Sequence, residues 1–212
     1  MEHDANSRLP SDSAQTCIVD PGVGLAPLAT LLRGRRTVHD FLDAPVPEAV
    51  IEGALELACW VPNHRQTEPW RFHLLDHALG QALASLNAEL VRETKGEAAA
   101  AAKLRRWSQV PGWLVITCIT SADELRQRED YAACCCAAHN LSLALWVQGV
   151  GLKWTTGAVT RHPRFYELIG VDPGLEQAIG LFWFGYPAEV PRQSRRPVRE
   201  LTRRVGVAAA TP

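Results

Sequence analysis

Lysine is scarce in this sequence, standing only at positions 95, 103 and 153, so positive charge is carried mostly by arginine. Arginine favours fixed bidentate contacts over diffuse attraction. The formal net charge is −1, which implies no general attraction to nucleic acid or to an anionic membrane. No uninterrupted apolar run is long enough to span a bilayer. Met1 to Asp20 is polar and lacks the apolar core of a secretory signal. A cytoplasmic protein with no membrane and no nucleic-acid partner is therefore expected. Also missing is any Cys-x-x-Cys spacing. Cys17, Cys59 and Cys118 are scattered, and Cys134-Cys135-Cys136 are contiguous. On a helix the trio would point about 100° apart and could not converge on one ion, so the cysteines read as buried small apolar residues and no metal site is expected. No Gly-x-Gly-x-x-Gly turn follows a strand, which argues against a Rossmann site, and there is no Walker loop, Gly-x-Ser-x-Gly elbow or His-Glu-x-x-His helix.

What is present suffices for one domain. The 212 residues are 47% hydrophobic, enough to bury a sizeable core. Residues 1–24, broken by Pro10, Pro21, Gly22 and Gly24, read as a flexible tail. Residues 25–200 read as the domain and 201–212 as a second tail. A short helix is expected over Leu28 to Arg33, and another opening at Pro47 with apolar Val50, Ile51, Ala54, Leu55 and Ala58. Trp70 to Leu75 reads as a strand, and Asp76 can cap the helix that carries Leu79, Leu83, Leu86 and Leu90. Ala98 to Arg106 has helix propensity but little apolar anchoring, which suggests a mobile helix or lid. Trp113 to Ile119 reads as a strand buried on both faces. Ser121 and Glu124 have capping-box spacing ahead of a long, mostly apolar helix from about Arg128 to Val147. Gly149 and Gly151 stop that helix before a strand at Leu152 to Thr155. Thr160 and Pro163 suit a helix start and Gly170 its end. Ala178 to Gly185 reads as the last buried strand. Helices alternating with four short strands indicate an α+β layer structure.

Two segments carry the chemistry. Arg35-Arg36-Thr37-Val38-His39 and Pro62-Asn63-His64-Arg65-Gln66-Thr67-Glu68-Pro69-Trp70 each join a hydrogen-bonding loop to an apolar element. Arginine supplies forked donors for a phosphate, and threonine adds a hydroxyl. Each also has a plainer reading. Arg35-Arg36 suits a solvated helix C-terminus, Asn63-His64 a turn, Trp70 and Trp154 the core, and the arginines from 192 to 204 a basic tail.

These motifs, together with Gly149-Val150-Gly151-Leu152-Lys153-Trp154-Thr155-Thr156-Gly157 and with Ala178-Ile179-Gly180 leading to Gly185-Tyr186-Pro187, resemble the nitroreductase family of flavoproteins over most of residues 28–200. The resemblance implies a nitroreductase-like three-layer α+β fold with a small mixed, largely antiparallel sheet surrounded by helices. It implies a homodimer with two FMN sites at the subunit interface, fed by NADH or NADPH. Arg35, Arg36 and Thr37 would hold the FMN phosphate and ribityl chain. His39 falls where the family usually has Arg or Lys. Pro62, Asn63 and His64 match the loop that covers the partner's flavin. Gln66 sits where many relatives carry Asn, and Glu68 replaces a frequent Gln. Trp154, Thr155, Thr156 and Gly157 would lie beside the isoalloxazine ring, and Arg195 or Arg196 would return to the phosphate. The implied activity is ping-pong reduction of a small acceptor, a nitroaromatic, quinone or other conjugated compound, with no protein side chain as essential proton donor. Two alternatives stay open: a non-enzymatic flavin-binding or regulatory protein, and a different flavin chemistry such as dehalogenation or flavin fragmentation.

Overall fold

The computed structural model describes residues 24–206, and the two stretches outside them contain Cys17, nearly all of the expected N-terminal tail and half of the C-terminal one. Ten elements follow in order: α1 (Ala26–Gly34), α2 (Glu48–Ala58), β1 (Trp70–Leu75), α3 (His77–Lys95), α4 (Glu97–Trp107), β2 (Gly112–Ile119), α5 (Glu124–Val147), β3 (Gly151–Thr155), α6 (Pro163–Ile169) and β4 (Glu176–Gly185). The strands form one sheet in the order β1-β2-β4-β3, with every neighbouring pair antiparallel. The parallel component is one isolated bridge between Thr37 and Leu152. This is the expected α+β layering, with strand-period alternation dividing the core in two.

On one face, Trp113 and Val115 of β2 and Leu181 and Trp183 of β4 pack with Leu83 and Leu86 of α3, Trp107 of α4 and Phe165 of α6. On the other, Leu114, Ile116 and Cys118 of β2 and Phe182 and Phe184 of β4 pack with Ala54 and Ala58 of α2 and with Ala133, Cys134, Ala137, Ala138 and Leu141 of α5. A register shift in the β2–β4 pairing, from Ile116↔Gly180 to Thr117↔Ala178, leaves Ile179 as a bulge. Bulges redirect side chains next to functional sites.

The caps explain where elements begin. Asp76 accepts a hydrogen bond from the Leu79 N–H, as expected. At α5 the expectation is corrected. The cap is Asp123, which accepts from the N–H groups of Leu125 and Arg126, while Ser121 accepts from the Asp123 N–H; no Ser121–Glu124 box forms. Asp123 is better placed because its carboxylate serves two free N–H groups at the positive helix end. Before α6, His162 is the cap and Thr160 lies in a 3₁₀ turn with its hydroxyl donated to the Gly157 carbonyl. The lid expected over Ala98 to Arg106 is a packed helix. Ala100 is fully buried, and Trp107 meets the Trp113 and Trp183 rings at centroid distances of 5.8 and 4.9 Å. The cysteine trio is also corrected in part: Cys134 is buried, but Cys135 is half-buried and Cys136 exposed. The neighbouring Cys118 thiol, then burial, raises the Cys134 pKa.

Candidate functional site

The sheet rim and α5 together build a small cavity. After α1 the chain runs extended, Thr37 bridges Leu152 of β3, and Val38 is buried in the space left by Gly151. Arg35, Thr37, Leu152 and Trp154 then line a cavity of about 150 Å³ whose remaining wall is Ala138, His139 and Ser142 of α5. Trp154 is held there by the bulge. Its Nε1 donates to the Ile179 carbonyl at 3.0 Å, and its indole crosses Gly180, where any Cβ would collide with it. The ring also packs on Phe182 at 5.3 Å between centroids.

Positive charge gathers at the Arg35 end. Burial lowers the Arg35 pKa, and repulsion from Arg36 and then Arg195 lowers it further. Among the C-terminal arginines, the charge of Arg195 acts on Arg35. Arg36 turns back on α1 and donates to the carbonyls of Arg33 and Arg35, the helix-end role weighed above. His39 is largely exposed, and the partial desolvation of its ring, then the charges of Lys153 and Arg106, lower its pKa against an opposing effect of Asp40. Thr155 ends β3, while Thr156 and Gly157 are exposed just beyond it and use their carbonyls to bind Arg161 and Thr160. Arg196 is exposed.

The second motif is elsewhere on the chain. Pro62, Asn63 and Gln66 line a cavity of about 670 Å³ with Glu56, Cys59, Trp60, Val61, Glu68 and Trp70. The loop is conformationally demanding: Arg65, Gln66 and Glu68 all have positive φ (60°, 49° and 44°). Left-handed backbone costs a non-glycine residue about 1 kcal/mol or more, so the neighbouring contacts must hold it. Asn63 Nδ2 donates to Thr67 Oγ1 and Asn63 Oδ1 accepts from the Glu68 N–H. The Thr67 hydroxyl donates to Asp130, a buried carboxylate of α5 that also receives Arg126 Nε at 3.4 Å. His64 Nδ1 meets Glu129 Oε2 at 2.7 Å, which turns the ring toward α5. Between the two cavities lies a third of about 370 Å³, sharing His139 with the first and Trp60, Val61 and Pro62 with the second.

The single chain therefore brings Arg35, Thr37 and Trp154 together with Arg195 nearby, and sets Pro62, Asn63 and Gln66 apart from them. Sequence reasoning missed His139 and Ser142. The available signal was three polar residues, His139, Asn140 and Ser142, in the otherwise apolar stretch Ala137 to Leu145.

Comparisons with known proteins place this architecture. A family model described as the nitroreductase family matches residues 32–186. The Bacillus subtilis (strain 168) protein named "Putative NAD(P)H nitroreductase YfhC" is 32% identical over 179 residues, 82% of this chain and 91% of that protein. A nitroreductase-like family protein from Bacillus cereus superposes with a TM-score of 0.74 at 28% identity, covering 85% of this chain and 96% of its own. The FMN-dependent nitroreductase NfnB from Mycobacterium smegmatis, solved in complex with NADPH, has a TM-score of 0.68 at 18% identity, covering 85% of this chain and 99% of its own, a likeness of fold. The match over residues 32–186 spans both loop motifs, all four strands and the bulge: the chain belongs to the nitroreductase family.

Proposed function

We propose that this protein is an FMN-dependent oxidoreductase that takes hydride from NADH or NADPH and reduces a small acceptor, a nitroaromatic, quinone or other conjugated compound, by a ping-pong mechanism as a homodimer. The observation that carries this reading is the convergence of Arg35, Thr37 and Trp154 on one cavity, with the charge of Arg195 near enough to lower the Arg35 pKa. The residues fit FMN at its phosphate end. Arg35, Arg36 and Arg195 form no ion pair with a carboxylate among the described residues, so a phosphate would supply the negative charge this cluster lacks. Arg35 and Arg195 would hold that phosphate, Thr37 would offer its hydroxyl to the ribityl chain, and the backbone of Thr155 to Gly157 would lie along the ring. Bound flavin supplies hydride acceptance from the nicotinamide and electron transfer to the second substrate.

The homodimer reading is supported by what one chain leaves uncovered. α1 buries none of its residues, and Leu28, Leu32, Trp60, Val198 and Leu201 are exposed. The separation of the 62–66 loop from the Arg35 cavity is what a site shared between two chains requires, the loop of one covering the flavin of the other.

The absorbance spectrum of the purified protein, before and after anaerobic NADH or NADPH, tests the activity: a flavin spectrum bleached within the mixing time is expected, and tight flavin binding without bleaching overturns it. Chromatography of the heat-released cofactor should return FMN; FAD, or no flavin after reconstitution, rejects the assignment. Arg35→Ala should weaken FMN binding by roughly 1.5–3 kcal/mol, with Arg35→Lys recovering part of it because an ammonium keeps the charge but not the fork. Arg203→Ala, in the exposed C-terminal segment, is the control. Equal losses in the Arg35 and Arg203 variants would remove Arg35 from the phosphate site.

A further inference from the structure

The cavity of about 670 Å³ at the 60–70 loop has a definite chemical character. Two carboxylates, Glu56 and Glu68, and two indoles, Trp60 and Trp70, stand on its wall, and no cationic side chain does. Trp60 is 81% exposed, while Trp70 is mostly buried. Neither carboxylate has an ion-pair partner or a side-chain hydrogen bond among the described residues. The backbone beneath Glu68 is held fixed: φ is 44°, and its N–H donates to Asn63 Oδ1 at 2.8 Å. Burial raises the pKa of the Cys59 thiol on the same wall, against a hydrogen bond with Trp70 and with a smaller upward contribution from the charge of Glu68.

Two carboxylates beside an open indole suit an organic cation. The carboxylates set the sign of the preferred charge, and the indole attracts an alkylated ammonium or pyridinium through its electron-rich face. A metal ion is a poorer match, since the described residues contain no group of three or more His, Cys, Asp or Glu able to hold one.

We infer that this cavity selects cationic aromatic compounds, of the N-alkylpyridinium or benzylammonium class, over anionic compounds of the same shape. The inference rests on the proposed function, in which the 62–66 loop stands over the partner's flavin and an acceptor placed there has Glu56, Glu68 and Trp60 as walls. When such a compound carries a nitro group, two electrons and two protons convert it to the nitroso compound and water. NAD(P)H supplies the electrons and one proton, and solvent the other.

The test is calorimetric titration of the flavin-loaded protein, at low ionic strength to limit screening, with three probes of similar shape: benzyltrimethylammonium, benzyl alcohol and phenylacetate. The cation should bind about tenfold or more tightly than the anion, with the alcohol between. Glu56→Gln combined with Glu68→Gln should abolish this order, and Trp60→Ala should weaken the cation more than the alcohol. In turnover, the preference for (4-nitrobenzyl)trimethylammonium over 4-nitrobenzoate should fall in parallel in the Gln variants. The single Gln variants keep side-chain shape and carry the test if the double variant does not fold. Equal or tighter binding of phenylacetate, or a cation preference that survives both Gln substitutions, overturns the inference. Flavin content and bleaching by NAD(P)H, measured on the same preparation, keep the two readings apart. Their failure removes the proposed function, whereas loss of the charge order on a reducible flavoprotein removes only the cavity's selectivity.

Discussion

The two faces of the sheet solve the packing problem in opposite ways. Against α3, α4 and α6 the sheet presents Trp113 and Trp183, which with Trp107 form a triangle of rings with centroids 4.9–5.8 Å apart. Against α5 it meets mostly small side chains, Ala133, Cys134, Ala137 and Ala138. Large rigid rings fill the first face to the limit. Small residues let α5 approach the sheet closely, and at its margin they leave the cavities where Arg35, Thr37 and Trp154 gather. The first face should thus be intolerant of loss and the second of gain.

The sharpest way to break that contrast is to delete an indole. Trp113→Ala should cost about 3–5 kcal/mol of stability, read from denaturant unfolding, because the hole lies in a closed aromatic cluster. The surviving folded molecules should still bind FMN with unchanged stoichiometry. A stability loss under 1 kcal/mol would mean that the cluster is not what holds this face. The complementary change adds bulk on the other side. Ala138→Leu, on the wall of the Arg35 cavity, should cost roughly 1–3 kcal/mol through overpacking and exclusion, and the loss should appear in FMN affinity by fluorescence titration more than in the unfolding midpoint. If unfolding carries the whole effect, the cavity is packing slack rather than a ligand seat.

The smallest effect concerns a cation on the aromatic face. Lys153 Nζ lies 3.9 Å from the Trp183 ring centroid. Burial, then repulsion from Arg106 and Lys103, lowers its pKa to about 8 against the opposing charge of Asp40. The folded value lies below the unfolded one, so the unfolded chain binds more protons between them. Stability on this account should rise from about pH 8 toward the ordinary lysine range and be flat below. Because the group is partly solvated and its contact with Trp183 is favourable, Lys153→Met should stabilise by only about 1 kcal/mol at pH 7. The slope above pH 8 should shrink with it; a slope unchanged in Lys153→Met would assign the titration to another group.

Much of this architecture could be read from residue patterns because it depends on local spacing. β1 matched residue for residue, and β2 differed by one. What escaped depended on neighbours far along the chain. α4 read as a lid because its anchor, Trp107, lies one residue past the stretch considered, and its partners Trp113 and Trp183 belong to separate strands. Asp123 outcompeted Ser121 as a cap through backbone geometry that the shared spacing does not reveal. Arg35 and Thr37 formed a legible phosphate-type motif, and the structure joined Trp154 to them. His139 was hidden because an exposed histidine on a mostly apolar helix gains meaning only when another element arrives beside it. Glu56, Cys59 and Trp60 precede the recognised loop motif and join it only by closing the same cavity.

The bulge at Ile179 gives β4 two reading frames. Ile179 shares the α5 face with Phe182, three positions on, and Ala178 shares the opposite face with Leu181, also three on; an unbroken strand would put each pair on opposite sides. The offset residue is the hinge between the frames. Removing Ile179 would heal the pairing and leave every residue before it on its present face, with Ala178 still opposite Thr117 and Glu176 still opposite Ile119. Pairing the strand regularly with Ile179 retained would instead move Ala178 opposite Cys118 and turn Glu176 away from His73 and Thr117, its present partners. The extra residue is thus what the register absorbs, and its carbonyl is what receives the Trp154 indole.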